Sequence, residues 1–375
     1  LGGNDTLIVD YSDGFFEANI TYVAGAEADL LQVIGESTDA VAGTVASYLP
    51  DLGSATDGLL TTRENALAAV SNVIDFQGST SVEVNGFAAV TMTTPGDEDT
   101  VTLSGAVGPV SADGAIRIAG TSGVNAFAPL FLANTVTVDI DLATSDTAIN
   151  NVDQVTLNPG ALQANELLGD LSVSTGQGRD EFTLNEDDFR GFGGVDNQVL
   201  SLDAGTDTNA LTVDLTTAAA GTLDEVRLST GGVQILVGNV DFGTINFNSG
   251  ISGSDATVNG EAGEDNVIDV SGWATGLLVV NGGAASADND TIVGPNLNQT
   301  WDVATAESGS VSGVTYSEIE NLRGGNANDT FAIRNLVVLG GSVDGGSAGS
   351  DEIDFSGIVT ARTVTLTGVS ATGYS

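Results

Sequence analysis

The sequence predicts an all-β chain wound as an elongated parallel β-helix (a β-solenoid) with coils of roughly 22–28 residues. Three observations carry this. One phrase recurs, an apolar strand, a Gly-rich turn, an Asp and a second apolar strand, as in LGGNDTLIV (Leu1–Val9), VNGGAASADNDTIV (Val280–Val293), LRGGNANDTFAI (Leu322–Ile333) and VDGGSAGSDEIDF (Val343–Phe355). Such self-similarity marks stacked repeats. The Asp of the phrase also returns at short intervals, with steps in sequence number of 24 from Asp5 to Asp29, 25 from Asp265 to Asp290 and 22 from Asp329 to Asp351. That interval is too short for an independent sandwich of ~100 residues and suits one turn of a solenoid. Finally, the residues after each Asp alternate, so Leu7/Val9, Val101/Leu103, Phe182/Leu184, Leu211/Val213 and Phe331/Ile333 point inward with the two-residue period of a strand.

Along the chain, residues 1–35 read as solenoid coils. Residues 36–80 hold few copies of the phrase, and RENALAAVSNVI (Arg63–Ile74) has helix-like composition, so this stretch reads as an inserted loop or short helix. Residues 81–165 keep apolar strands (AIRIAG, NTVTVDIDL, DQVTL) but lose the turns, and read as degenerate coils or a change of sheet arrangement. Residues 166–375 return to coils with Gly/Asp turns. The phrase is already under way at Leu1 and a strand-like stretch runs close to Ser375, so both ends read as cut from a longer polypeptide, or as trimmed by processing or disorder.

Composition narrows the function. Fifty-one acidic residues against eight basic ones, all Arg, leave a net charge of −43, and His and Cys are absent. The usual general base, the commonest transition-metal ligand and every thiol are therefore missing. Nucleic acid is excluded as a partner because so little positive charge faces its phosphates. No apolar run reaches the ~18–20 residues of a membrane span, so no membrane insertion is predicted for this segment. Hard divalent cations are the natural counterions of so many carboxylates, and a Lys-free acidic surface also suits high salt.

The phrase supplies the candidate metal ligands: Asp5, Asp29, Asp99, Asp180, Asp265, Asp290, Asp329 and Asp351, with Asn209 in the same slot and Asn266 competing with Asp265 for it. Stacked turns would bring such carboxylates into columns, where Ca²⁺ would relieve their repulsion. The plainer reading is that Asp and Asn cap turns by bonding the local backbone. Glu186–Asp187–Asp188 beside Arg190 is the densest acidic run. Paired carboxylates are what a glycosidase needs, but the run reads as a solvated loop, and no catalytic residue is assigned. Trp273, Trp301, Tyr11, Tyr22, Tyr48, Tyr316 and Tyr374 are dispersed over the phrase and read as core or edge residues rather than a sugar platform.

The turns GGNDT, GGNANDT and GGSAGSD resemble the calcium-binding nonapeptide GGxGxDxUx of RTX proteins, and Thr300–Ile333 resembles the β-strand-repeat segments of giant bacterial surface proteins. The resemblance covers about the first 35 and last 200 residues. It implies a secreted or surface-exposed bacterial protein, a β-solenoid and Ca²⁺-assisted folding. In this chain the copies stand alone, about one per coil, instead of in tandem. The function expected is structural and not enzymatic: a stalk, sheath, filament or adhesin shaft that associates with itself or with cell-surface components. The alternatives are a glycan- or protein-binding adhesin module recognising its target through the 36–80 region, and a polysaccharide-active enzyme with an Arg beside several Asp residues in a cleft.

Overall fold

The computed structural model describes residues 3–36, 43–112, 114–145, 151–158, 170–185, 200–205, 209–216, 225–229, 231–237, 240–249, 255–273, 276–284, 288–335 and 337–361. Among them every regular element is a β-strand, and no helix is long and apolar enough to cross a membrane. The chain divides into two compact units, the first formed by residues 1–183, 188–209 and 244–250, the second by 184–187, 210–243 and 251–375.

The first unit carries β1 (Thr6–Asp10), β2 (Ile20–Val23), β3 (Asp29–Ile34), β4 (Val45–Pro50), β5 (Gly58–Arg63), β6 (Asn72–Gln77), β7 (Ser79–Asn85), β8 (Ala89–Thr93), β9 (Asp99–Val107), β10 (Gly114–Ser122), the short β11 (Asn125–Ala126), β12 (Leu130–Ala133), β13 (Thr137–Asp141), β14 (Gln154–Asn158), β15 (Leu171–Ser174), β16 (Glu181–Asn185, whose last residues belong to the second unit) and β17 (Leu200–Asp203). Strands one coil apart pair in parallel within two sheets, as β1 with β3, β3 with β7, β13 with β15 and β15 with β17. That is the winding the phrase predicts. Parallel register stacks like on like: Val101 lies over Val155 and Leu103 over Leu157, while Val138, Leu171 and Leu200 form one column and Ile140, Val173 and Leu202 the next. All of these are buried, so each coil covers the apolar edge of its neighbour. Of the residues expected to point inward, only Leu7, in the first coil, is half-buried instead of buried.

Where the phrase fades, the structure does something else. Residues 45–77 hold no helix: β4, β5 and β6 form an antiparallel S-shaped meander in one sheet, with β6 pairing parallel to β2 and β4 parallel to β8. The helix-like composition of Arg63–Ile74 is overridden because β6 is flanked by partners on both sides, and Ile74 and Phe76 are fully buried on one face of it. The degenerate stretch hides a second meander in the opposite sheet. There β9, β10 and β12 run antiparallel, with β12 parallel to β7 and β9 parallel to β14. Each meander adds two rungs to its own sheet. Because they lie in opposite sheets, the sheets return to step by β13 and β14.

The second unit carries β18 (Ala210–Asp214), β19 (Glu225–Ser229), β20 (Gly232–Val237), β21 (Val240–Ser249, whose last residues belong to the first unit), β22 (Asp255–Asn259), β23 (Val267–Gly272), β24 (Leu278–Asn281), β25 (Thr291–Val293), β26 (Gln299–Val303), β27 (Gly309–Val311), β28 (Val314–Ser317), β29 (Asn321–Arg323), β30 (Asp329–Ile333), β31 (Val343–Asp344) and β32 (Glu352–Asp354). One sheet stacks β18, β22, β24 and β28, the other β23, β25, β29 and β31, all in parallel. A meander recurs here: β26, β27 and β28 are antiparallel, with β28 joined to β24 and β26 to β30. Where no meander intervenes, one coil is as short as the step from Leu322 to Val343 and as long as the step from Val138 to Leu171. A polar ladder closes one column: Asn281 Nδ2 donates to Asn259 Oδ1 at 2.7 Å, and Ser317 Oγ donates to Asn281 Oδ1 at 2.6 Å. Trp301 is fully buried and stacks on Phe331 at 5.2 Å between ring centroids.

Candidate metal centre

The phrase aspartates sit where each coil turns into its next strand, and most are buried. Their first task is visible in their hydrogen bonds. In the first unit, Asp5 donates its backbone N–H to Asp29 Oδ1 (2.6 Å), Asp99 to Asp153 Oδ1 (2.8 Å), Asp153 to Asp180 Oδ1 (3.0 Å) and Asp180 to Asn209 Oδ1 (2.7 Å). Each accepting carboxylate or amide thus caps the backbone of the coil before it. The second oxygen ties its own turn: Asp29 Oδ2 accepts from Gly25 N–H, Asp99 Oδ2 from Thr94 Oγ1 and Asp180 Oδ2 from Thr175 Oγ1. In the second unit, Asp329 donates to Asp351 Oδ1 at 3.0 Å, and its own Oδ2 accepts from Gly325 N–H at 3.0 Å. The Gly of the phrase has a steric reason here. A Cβ on Gly324 would lie 2.5 Å from Asp329 Oδ2 and would also meet the Gly345 carbonyl, so only glycine lets the clasp close.

These clasps bear on the candidate ligands one by one. Asp5, Asp29, Asp99, Asp180, Asp329 and Asp351 occupy separate rungs. Asp29, Asp99, Asp180 and Asp329 carry backbone or hydroxyl donors on their carboxylates. The exposed Asp351 caps Asp329, and Asp5 begins the first described coil, with no earlier described coil to cap. Asp265 is exposed one residue before the slot, which the buried Asn266 fills; Asp265 Oδ1 accepts instead from Asn289 N–H at 2.8 Å. Asp153 escapes the sequence reading, although it precedes the alternating QVTL, because no Gly-rich turn announces it. The acidic run at 186–190 lies outside the described residues, as does Tyr374.

One corner differs. Asn266, Asp290 and Glu320 lead into β23, β25 and β29 and form a column in the other sheet. Asn266 N–H donates to Asp290 Oδ1 at 2.7 Å, with Asn266 Nδ2 adding a second bond at 2.8 Å, and Asp290 N–H donates to Glu320 Oε2 at 2.8 Å. Asp288 comes in from the side, its Oδ2 accepting from Gly263 N–H at 3.3 Å. Oxygen atoms of Asp288, Asp290 and Glu320 lie within 4.8 Å of one another. Asp290 is fully buried, yet its Oδ2 has no hydrogen-bond partner. Burial, with the charges of Asp288 and Glu320 added, outweighs the two Asn266 donors and pushes the Asp290 carboxyl up to about 7. Glu320 is raised for the same reasons, burial first and then Asp288 and Glu307. Among the described residues the ion pairs are Arg179–Glu181, Arg227–Glu225, Arg323–Asp344 and Arg334–Asp302, so no Arg pairs with this corner. Asp288 escapes the sequence reading because it lies two residues before the slot, and Glu320 because only stacking brings it to Asp290: it lies a full coil further on, in the glycine-free turn Glu318-Ile319-Glu320.

The other functional readings find less. Tyr11, Tyr48, Trp273, Trp301 and Tyr316 are buried, leaving them no face for a sugar. On the second unit, a cleft of about 280 Å³ is lined by Glu225, Asp269, Asn296, Arg323 and Asn326 among others. Comparison with known proteins found no matching protein family, no similar curated protein and no similar solved structure.

Proposed function

We propose that this chain is a structural, non-enzymatic segment of a large extracellular bacterial surface protein, a stalk, sheath, filament or adhesin shaft whose coils resist extension. The observation that supports it is the use of the chemically capable side chains. The buried carboxylates of the phrase are spent on capping the backbone of the adjacent coil, and the large aromatics are spent on the core. Bonds that run from coil to coil are what a shaft under tension needs, because each coil then fails only when its neighbour lets go. The acidic surface keeps such segments soluble and apart until cations screen it, and the same screening would permit self-association or docking on cell-surface components.

Single-molecule extension from the two termini tests the reading. Unfolding should proceed in steps that each release one coil, about 80 Å of contour for a coil of about 24 residues. Loss of all structure in a single cooperative event would overturn it. A second reading, a polysaccharide-active enzyme, is favoured by the cleft that Arg323 lines together with Glu225 and Asp269. It predicts cleavage of a polysaccharide that Arg323→Ala abolishes.

A further inference from the structure

We propose that Asp288, Asp290 and Glu320 form a site for one hard divalent cation of the Ca²⁺ class, clamped between consecutive coils of the second unit. Three carboxylates from corners on two successive coils converge to within 4.8 Å. The independent observation is Asp290 Oδ2, an acceptor on a fully buried residue with nothing donating to it. The sibling corners show what is missing. At Asp29 and Asp329 a turn N–H reaches the second oxygen, and at Asp99 and Asp180 a Thr hydroxyl does. At Asp290 the sequence from Gly283 to the slot is longer than that from Gly325 to Asp329, and in place of a donor Asp288 brings another carboxylate. Asp5 and Asp329 also leave one oxygen unpaired, but among the described residues no such group of carboxylates gathers there.

The surroundings supply a further oxygen. A Cβ on Gly282 would lie 2.6 Å from Asp290 Oδ2 and would collide with the Glu318 carbonyl oxygen. The unpaired oxygen and a main-chain carbonyl of the next coil therefore both border the space that this glycine keeps open. Carboxylate and carbonyl oxygens at a negatively charged corner are the ligand set of Ca²⁺, and His or Cys, which softer metals favour, are absent from the whole chain. Glu320 and Asp290 belong to adjacent rungs (β29 on β25). A cation here stitches one coil to the next.

The natural slot residues provide the decisive variant. Asn fills the slot at 209 and 266, where the amide donates to Ala204 O and Glu261 O. Asp290→Asn should therefore fold, keep its cap on Asn266 and place a donor where the orphan oxygen was. Thermal unfolding of the full chain would be followed in 150 mM KCl, with EDTA or with added CaCl₂. In EDTA, Asp290→Asn should melt at or above the unmodified chain. On adding CaCl₂ the melting temperature of the unmodified chain should climb along a saturable curve, and that of Asp290→Asn should not. Glu320→Gln, which removes a ligand charge but not the fold of the turn, should weaken Ca²⁺ binding at least tenfold by calorimetry. Asp13→Asn/Glu17→Gln, two acids outside this corner, should leave binding unchanged. The proposal is overturned if Asp290→Asn keeps the full Ca²⁺-dependent rise, or if CaCl₂ does no more than KCl of equal ionic strength. Coil-by-coil extension can survive either result, so the scaffold reading and this site fail separately.

Discussion

Asp180 takes the Asp153 N–H on one oxygen and the Thr175 hydroxyl on the other, at 3.0 and 2.6 Å. Replacing it with Ala strands a buried N–H, which costs roughly 1–3 kcal/mol. Replacing it with Asn, the residue found in the next rung at 209, should cost much less. Urea unfolding of the two variants checks this, and equal losses would mean that the second oxygen, which accepts from the Thr175 hydroxyl, matters at this position rather than the cap. The same residues set the pH response. Burial raises the carboxyls of Asp99 and Asp329 from the usual 3.8. A group raised on folding stabilises the native state below its unfolded value, and that stability is lost as pH rises through its folded value. Asp10, Asp302 and Asp354 are lowered, but they lie at the surface, where such shifts carry little stability. In EDTA the urea midpoint should therefore rise as pH falls through the raised values of these two carboxyls toward 3.8, against the habit of most proteins, and Asp99→Asn/Asp329→Asn should flatten the rise. The slot was legible in the sequence through the Asp before each alternating strand. The choice between Asp265 and Asn266 was not, because it depends on which side chain lies inside the stack.

At the scale of elements, the meanders are the departure from a plain solenoid. The β9–β10 turn is held by Glu83 of β7, a fully buried carboxylate that accepts from Val110 N–H at 2.8 Å, Ser111 N–H at 3.2 Å and Gln32 Nε2 at 2.8 Å. This carboxylate is satisfied by donors, not by a counter-charge. Glu83→Ala should destabilise the first unit by about 2–4 kcal/mol, since it leaves several buried donors unmet at once. Hydrogen exchange should show the loss first in β9 and β10, and uniform exchange over the unit would refute the assignment. Only a change of sheet arrangement over 81–165 was legible beforehand: Glu83 sits in the unremarkable SVEVNG, and β6 begins inside Arg63–Ile74, whose composition favours helix. Pairing decides both, because a strand flanked on each side gains ladder bonds and buried area that outweigh local propensity.

Over the whole molecule, a charge of −43 opposes compaction everywhere, yet only one described corner gathers three carboxylates that could hold a metal. Moving from 20 to 500 mM KCl in EDTA should therefore raise the melting temperature of the unmodified chain and of Asp290→Asn by similar amounts, since general screening ignores the corner. A rise confined to the unmodified chain would mean that K⁺ itself occupies the site. The sequence alone determined the all-β parallel winding, its inward-facing columns such as Val101/Leu103 and Phe331/Ile333, and the Gly and Asp that turn each coil. Those are properties of one repeat read along the chain, and local alternation and turn chemistry are enough to write them. The tertiary structure alone decided which strands reverse into meanders, that the carboxylates cap neighbouring coils, and that Glu320 comes to lie beside Asp290. Each of these is a relation between rungs, and a contact between side chains a whole lap apart exists only after the coils have been laid on one another.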